Sequence, residues 1–214
     1  MLLEQLRETV WKCNLELPKN DLVKMTSGNV SGRDPETGLV VIKPSGVSFE
    51  ELTPENMVVV EMDGRVVEGH LKPSTDTDTH LYVYERRDDV LGIAHTHSPY
   101  ASSFAALGQS IPACLTTCGM LGGEVPLGGY APIGGADIGQ EIIDKIGRAL
   151  AIVMQNHGVF TIGSSPQQAT RVAVEVEDIA KITHLAMLRG QPIVLSDSQI
   201  DYMVNLYRND YGQR

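Results

Sequence analysis

His95 and His97, separated by a single threonine, are the side chains in this sequence whose spacing most directly suggests chemistry. They close an apolar run that predicts a buried strand over 90–98. On a strand, residues two apart share a face, so both imidazoles can converge on one ion. The same pair also reads as hydrogen-bonded histidines at a strand end. A third imidazole, His157, again directly follows an apolar stretch. Three neutral imidazoles and an open position make a catalytic zinc site. His70, His80 and His184 lack comparable settings: His80 and His184 fall in predicted helices and His70 in a polar loop, so all three read as structural or solvated.

A second set of residues forms three small polar turns: Ser27-Gly28-Asn29, Lys43-Pro44-Ser45-Gly46 and Lys72-Pro73-Ser74-Thr75-Asp76. Glycine and short hydroxyl residues let backbone N–H groups approach an anion closely, and Lys43 adds charge; such nests bind phosphate. Taken singly, each segment is merely a turn. Asp76 closes the third turn where a helix is predicted to begin. It reads either as an N-cap or as a general base or metal ligand beside the phosphate site.

These side chains need elements to carry them. Leu3, Leu6, Val10, Cys13 and Leu17 recur at spacings of three and four, predicting an amphipathic first helix stopped by Pro18. Residues 39–46 read as a strand entering a turn, and 57–69 as a hairpin through Asp63-Gly64. Helices are predicted over 76–88, 99–108, 136–148, 166–188 and 196–207, and strands over 150–158 and 158–163. Residues 113–135, rich in glycine and proline, resist assignment. The irregular alternation and the internal hairpin favour a mixed α/β sheet covered by helices over a regular doubly wound fold.

Composition narrows the function classes. The 214 residues carry 27 acidic and 17 basic side chains, a formal charge of −10. Nucleic acid and anionic membranes are bound largely through Lys and Arg, so neither is an expected partner. No apolar run approaches the ~20 residues that span a bilayer. The first residues, with Glu4 and Glu8, do not read as a secretory signal. Cys13, Cys114 and Cys118 are an odd number without a CxxC motif, so no disulfide framework is implied. A single cytoplasmic domain over 1–214 is the expectation. An anionic ligand would have to be held against the global charge.

In order along the chain, Thr26-Ser27-Gly28-Asn29-Val30-Ser31, 41–46, 72–76, His95-Thr96-His97 and Asn156-His157-Gly158 resemble the class II aldolase/adducin family of metal-dependent sugar-phosphate enzymes. The resemblance covers essentially the whole chain. It implies one domain with a largely antiparallel central β-sheet covered by helices on both faces, one Zn2+ per subunit and a homotetramer with sites at subunit interfaces. His95, His97 and His157 would bind the metal. Asp76 would be a ligand at rest and a base in turnover. Gly28, Asn29, Ser45, Gly46, Ser74 and Thr75 would cradle the substrate phosphate, beside Lys43. Tyr211 would reach a neighbouring subunit's site as a proton donor or positioner.

Two enzymatic branches of the family fit. Fuculose-1-phosphate aldolases release dihydroxyacetone phosphate and an aldehyde, whereas ribulose-5-phosphate 4-epimerases cleave the same kind of bond, rotate the aldehyde and rejoin it. Segments 43–47 and 109–117, and Asp76 itself, resemble the epimerases. Met120, however, stands where the epimerases carry an acid/base Asp, and no His follows His184. Residues 129–135 resemble the aldolases. The expected reaction is therefore zinc-dependent retro-aldol cleavage of a ketose phosphate through a metal-bound enediolate, with Thr116 and Met120 shaping the aldehyde end. The 4-epimerase is the alternative. A non-catalytic binding or assembly domain is the reading from another class, and a metal-retaining thio-sugar-phosphate dehydratase of the same superfamily is a third.

Overall fold

Strands that alternate between two apolar faces build the centre of the molecule. The computed structural model describes residues 1–211. Eight strands form one sheet: β1 (Asn29–Arg33), β2 (Val40–Ile42), β3 (Val58–Val60), β4 (Val66–Glu68), β5 (Gly92–Thr96), β6 (Leu127–Gly128), β7 (Ala151–Met154) and β8 (Val159–Gly163). Their order is β4-β3-β2-β1-β5-β8-β7-β6. The β6–β7 pair is parallel, and the pairs from β4 through to β7 are antiparallel.

The period of two sorts the side chains between layers. Val40, Ile42, Val58, Val60, Ile93, Ile152, Phe160 and Ile162 pack on one face with Leu81 and Tyr84 of α2 (Thr77–Arg86) and Ile138 and Ile142 of α4 (Asp137–Lys145). Val30, Val41, Val59 and Ala94 point the other way, onto α1 (Glu4–Lys19) and the start of α5 (Pro166–Met187). On that second face, Ala151, Val153 and Val159 meet α3 (Pro99–Leu107), the rest of α5 and α6 (Asp197–Asn209). A mixed α/β fold, largely antiparallel with helices on both faces, is what the sequence led one to expect. Apolar burial at roughly 25 cal/mol per Å2 is its main support.

Three local expectations differ from the structure. Helix α1 runs through Pro18 to Lys19; Pro18 lies in the last turn, where its missing N–H gives up a single helix bond. Residues 113–135 contain a 3-10 turn, Thr116–Leu121, and the short strand β6. The larger omission is β1: its sequence, Asn-Val-Ser-Gly-Arg, lacks a β-branched run, yet it lies between β2 and β5 near the sheet centre. Its polar members are tolerated there because helix α2 supplies their hydrogen bonds. Its glycine is needed because a Cβ on Gly32 would fall 2.7 Å from the Pro166 ring.

Candidate active site

The three histidines converge. His95 leaves β5 on the α2 face, His97 follows one residue beyond the strand, and His157 sits in the turn between β7 and β8. That turn is formed by Asn156 in the left-handed region at φ 58°. One nitrogen from each ring lies within 4.8 Å of the others. The Nε2 atoms of His95 and His97 are 3.0 Å apart, close to the about 3.3 Å separating two nitrogens on a tetrahedral zinc ion. The His95 Nδ1 lies 2.9 Å from the Val159 carbonyl. A carbonyl only accepts, so Nδ1 carries the proton and Nε2 turns its lone pair to the centre, as metal-ligating histidines require. His157 Nδ1 is buried without a partner.

Burial keeps these rings neutral. It pushes the His95 imidazole down to about 3, with Asp76 opposing and His157 and His97 adding to the shift. It also lowers His97, against Asp76, and His157, where His97 contributes further. Neutral imidazoles are the ligating form. Gly158 belongs to the same construction: a Cβ there would stand 2.7 Å from His97 Cδ2 and against the Thr96 carbonyl.

Asp76 occupies the N-cap position of α2, but its side chain makes no capping bond. Its Oδ2 instead accepts from Asn29 Nδ2 at 2.7 Å. Burial works to raise the Asp76 carboxyl, yet His95, His80, the Asn29 bond and His157 outweigh it and hold the group below its ordinary range. The donor cluster consists of the three imidazoles, and the Asp76 carboxylate stands outside it, tethered to Asn29. That arrangement suits a base beside the metal position.

The polar turns close around this centre. Gly28, Asn29, Lys43, Ser45, Gly46, Ser74, Thr75, Asp76, His95, His97 and His157 line one cavity of about 280 Å3. Backbone bonds from Ser45 N–H to Lys72 C=O (2.9 Å) and from Ser74 N–H to Lys43 C=O (3.0 Å) stitch the second and third turns together. Gly28, at φ 80°, has no room for a Cβ, which would lie 2.9 Å from the His95 carbonyl. Lys43 is 2% exposed, donates to the Thr26 carbonyl at 3.0 Å and lies over the Phe49 ring. Burial lowers its ammonium to about 8, with Asp76 acting in the opposite direction. A buried cation among hydroxyls and turns is chemically able to hold an anion.

Thr26, Ser27, Pro44 and Ile133 also line the cavity. Ser27 and Pro44 lie inside recognised turns, and Thr26 directly precedes the first of them. Ile133 carried no local signal, because it comes from the unassigned glycine-rich segment. Thr116, Met120 and Tyr211 do not reach this cavity within one chain. Thr116 is exposed on the 3-10 turn. Met120 and Tyr211 line a different cavity of about 590 Å3, together with Arg171, Glu175, Tyr207 and Arg208. His80 is fully buried rather than solvated, whereas His70 is exposed and His184 packs beside Tyr100.

Three convergent imidazoles, a buried carboxylate and polar turns around a buried lysine agree with comparisons to known proteins. Residues 8–184 match the family model of the class II aldolase and adducin N-terminal domain. The chain belongs to this family. It is 40% identical over 219 residues to L-ribulose-5-phosphate 4-epimerase UlaF of Salmonella paratyphi C (strain RKS4594), covering 95% of this chain and 93% of that protein. Among solved structures, an L-fuculose 1-phosphate aldolase superposes with a TM-score of 0.92 at 32% identity, covering 95% of this chain and 96% of that one. The L-fuculose-1-phosphate aldolase of Thermus thermophilus shares the fold, with a TM-score of 0.74 at 23% identity over 88% of this chain and 97% of that one. As a class II aldolase family member, the protein is a metal-dependent enzyme, and the imidazole group can hold the ion. Among the described residues, no helix is long and apolar enough to cross a membrane.

Proposed function

We propose that the protein is a zinc-dependent sugar-phosphate enzyme that breaks and remakes a C–C bond, acting as an L-ribulose-5-phosphate 4-epimerase. The observation that carries the chemistry is the single cavity holding three neutral imidazoles, the Asn29-tethered Asp76 and Lys43. The whole-chain likeness to UlaF supports the epimerase branch. A bound Zn2+ supplies Lewis acidity at the ketose oxygens.

The chain's own residues do the rest. Lys43 and the turns at Gly28, Ser45, Gly46, Ser74 and Thr75 hold the phosphate and orient the sugar. Asp76, ionised and fixed by Asn29, takes the proton of the C4 hydroxyl on one face as the C–C bond breaks. Tyr211 of a neighbouring copy in a homotetramer serves the opposite face, where it gives a proton to the C4 alkoxide that forms as the rotated aldehyde rejoins. Met120 speaks for simple cleavage, because it cannot move a proton. That objection weakens because Tyr207 and Tyr211, whose hydroxyls carry exchangeable protons, line the same cavity as Met120.

The aldolase remains the second reading, favoured by Met120 itself and by the lack of a histidine after His184. Incubation with L-ribulose 5-phosphate and, separately, L-fuculose 1-phosphate separates the two. Xylulose 5-phosphate from the first is the expected result. Dihydroxyacetone phosphate released from the second, with no epimer from the first, would overturn the epimerase reading.

A further inference from the structure

We propose that His80 is a positioning residue for Asp76, held in a polar ladder between α2 and β1 that sets the carboxylate against the imidazoles. This rests on reading Asp76 as the acid/base of the proposed reaction.

The ladder follows from two periodicities. Asn29, Ser31 and Arg33 alternate along one face of β1, while Val30 points into the opposite core. Asp76, His80 and Tyr84 recur every four residues on α2. Asn29 Nδ2 donates to Asp76 Oδ2 at 2.7 Å. Ser31 Oγ bonds His80 Nδ1 at 2.7 Å and the Tyr84 hydroxyl at 2.8 Å. Arg33 Nη1 donates to the Tyr84 carbonyl at 2.7 Å. Two strand residues advance about 6.7 Å and four helical residues about 6.0 Å, so successive rungs stay matched over this length. Sliding α2 along β1 would break every rung together.

Stability alone does not account for the imidazole. His80 is 0% exposed, and its Nε2 has no partner. A buried polar atom left unpaired costs free energy that an apolar side chain of similar volume would avoid. The Ser31 bond is what the imidazole contributes, and it fixes the turn of α2 that begins at Asp76. His80 also meets Phe160 edge-on at 6.0 Å, and Phe160 stacks on His95 at 4.1 Å. One buried ring thus braces both the carboxylate and a metal-ligating imidazole.

His80→Leu removes the rung but keeps the volume, His80→Asn retains a polar atom near the Nδ1 position, and Ser31→Ala breaks the same bond without touching the imidazole. A misplacement on the order of 1 Å costs about 100-fold in rate, so kcat should fall about 30- to 100-fold in His80→Leu and Ser31→Ala with KM within about threefold. His80→Asn should recover to within about tenfold of the starting kcat. Crystal structures should show the Asn29–Asp76 bond broken in His80→Leu and kept in His80→Asn. A His80→Leu protein with a lower Tm, full kcat and an undisturbed Asp76 would overturn the proposal, as would an Asn variant no better than Leu. If the unsubstituted protein turns over neither ketose phosphate, the reaction assignment fails, and the crystal structures still decide the ladder.

Discussion

Gly158 and Lys43 show how single side chains constrain the site from opposite directions. Gly158 leaves room for His97 and the Thr96 carbonyl. Gly158→Ala should overpack the turn, costing about 1–3 kcal/mol in urea unfolding and weakening metal affinity measured by competition with a chromogenic chelator. Lys43 is placed at a stability cost. Between about 8, where burial has pushed its folded value, and 10.5, its ordinary value, the unfolded chain holds a proton that the folded chain lacks. Stability contributed at this position therefore rises with pH across that window, and below it the buried cation is fully destabilising. Lys43→Met should gain about 1–2 kcal/mol at pH 7 after allowance for solvent screening. The same change should raise KM at least about tenfold through loss of a charge-assisted phosphate contact. In the unsubstituted protein, KM should rise above about pH 8 as Lys43 loses its proton.

At the scale of elements, α1 and the β3–β4 hairpin are joined by Arg7, a guanidinium only 1% exposed. It donates to the Met57 carbonyl at 2.6 Å and the Leu2 carbonyl at 2.9 Å, and pairs with Glu68 at 2.7 Å. Arg7→Leu leaves those acceptors unmet and should destabilise by about 2–4 kcal/mol, read as a lower urea midpoint with little change in kcat. The strands β2, β3, β5, β7 and β8 were legible because their apolar runs are long enough to stand out. Strand β1 was not. Its polar residues are paired by Asp76 and α2, partners 47 residues and more away in sequence, and no local pattern announces such a partner. Asp76 was legible as a helix start, but its tether to Asn29 depends on β1 lying beside α2.

At the scale of the molecule, a metal held by imidazoles from two separate segments ties β5 to the β7–β8 turn. Ligand binding to the folded state alone contributes about 2.7 kcal/mol at a hundredfold excess over Kd. Chelation should therefore lower Tm by several degrees, and added zinc should restore it. His95→Ala should abolish both the shift and turnover, checked by differential scanning calorimetry and elemental analysis. The formal charge of −10 does not oppose an anionic substrate, because binding is local. Lys43 stands in the cavity with hydroxyls, turns and neutral imidazoles, and the bulk of the acidic side chains lie elsewhere.

The sequence by itself determined the mixed α/β class, the three candidate imidazoles and the polar turns, because each is written in a short local pattern along the chain. Tertiary structure decided what those residues become together. It placed β1 at the sheet centre and turned Asp76 from a capping position to a tethered carboxylate. It also buried His80 in a ladder and set Met120 and Tyr211 on a wall apart from the imidazoles. The physical reason is common to all four. Each depends on hydrogen bonds or packing between segments far apart in sequence, whose energies exist only once the sheet has brought them into contact.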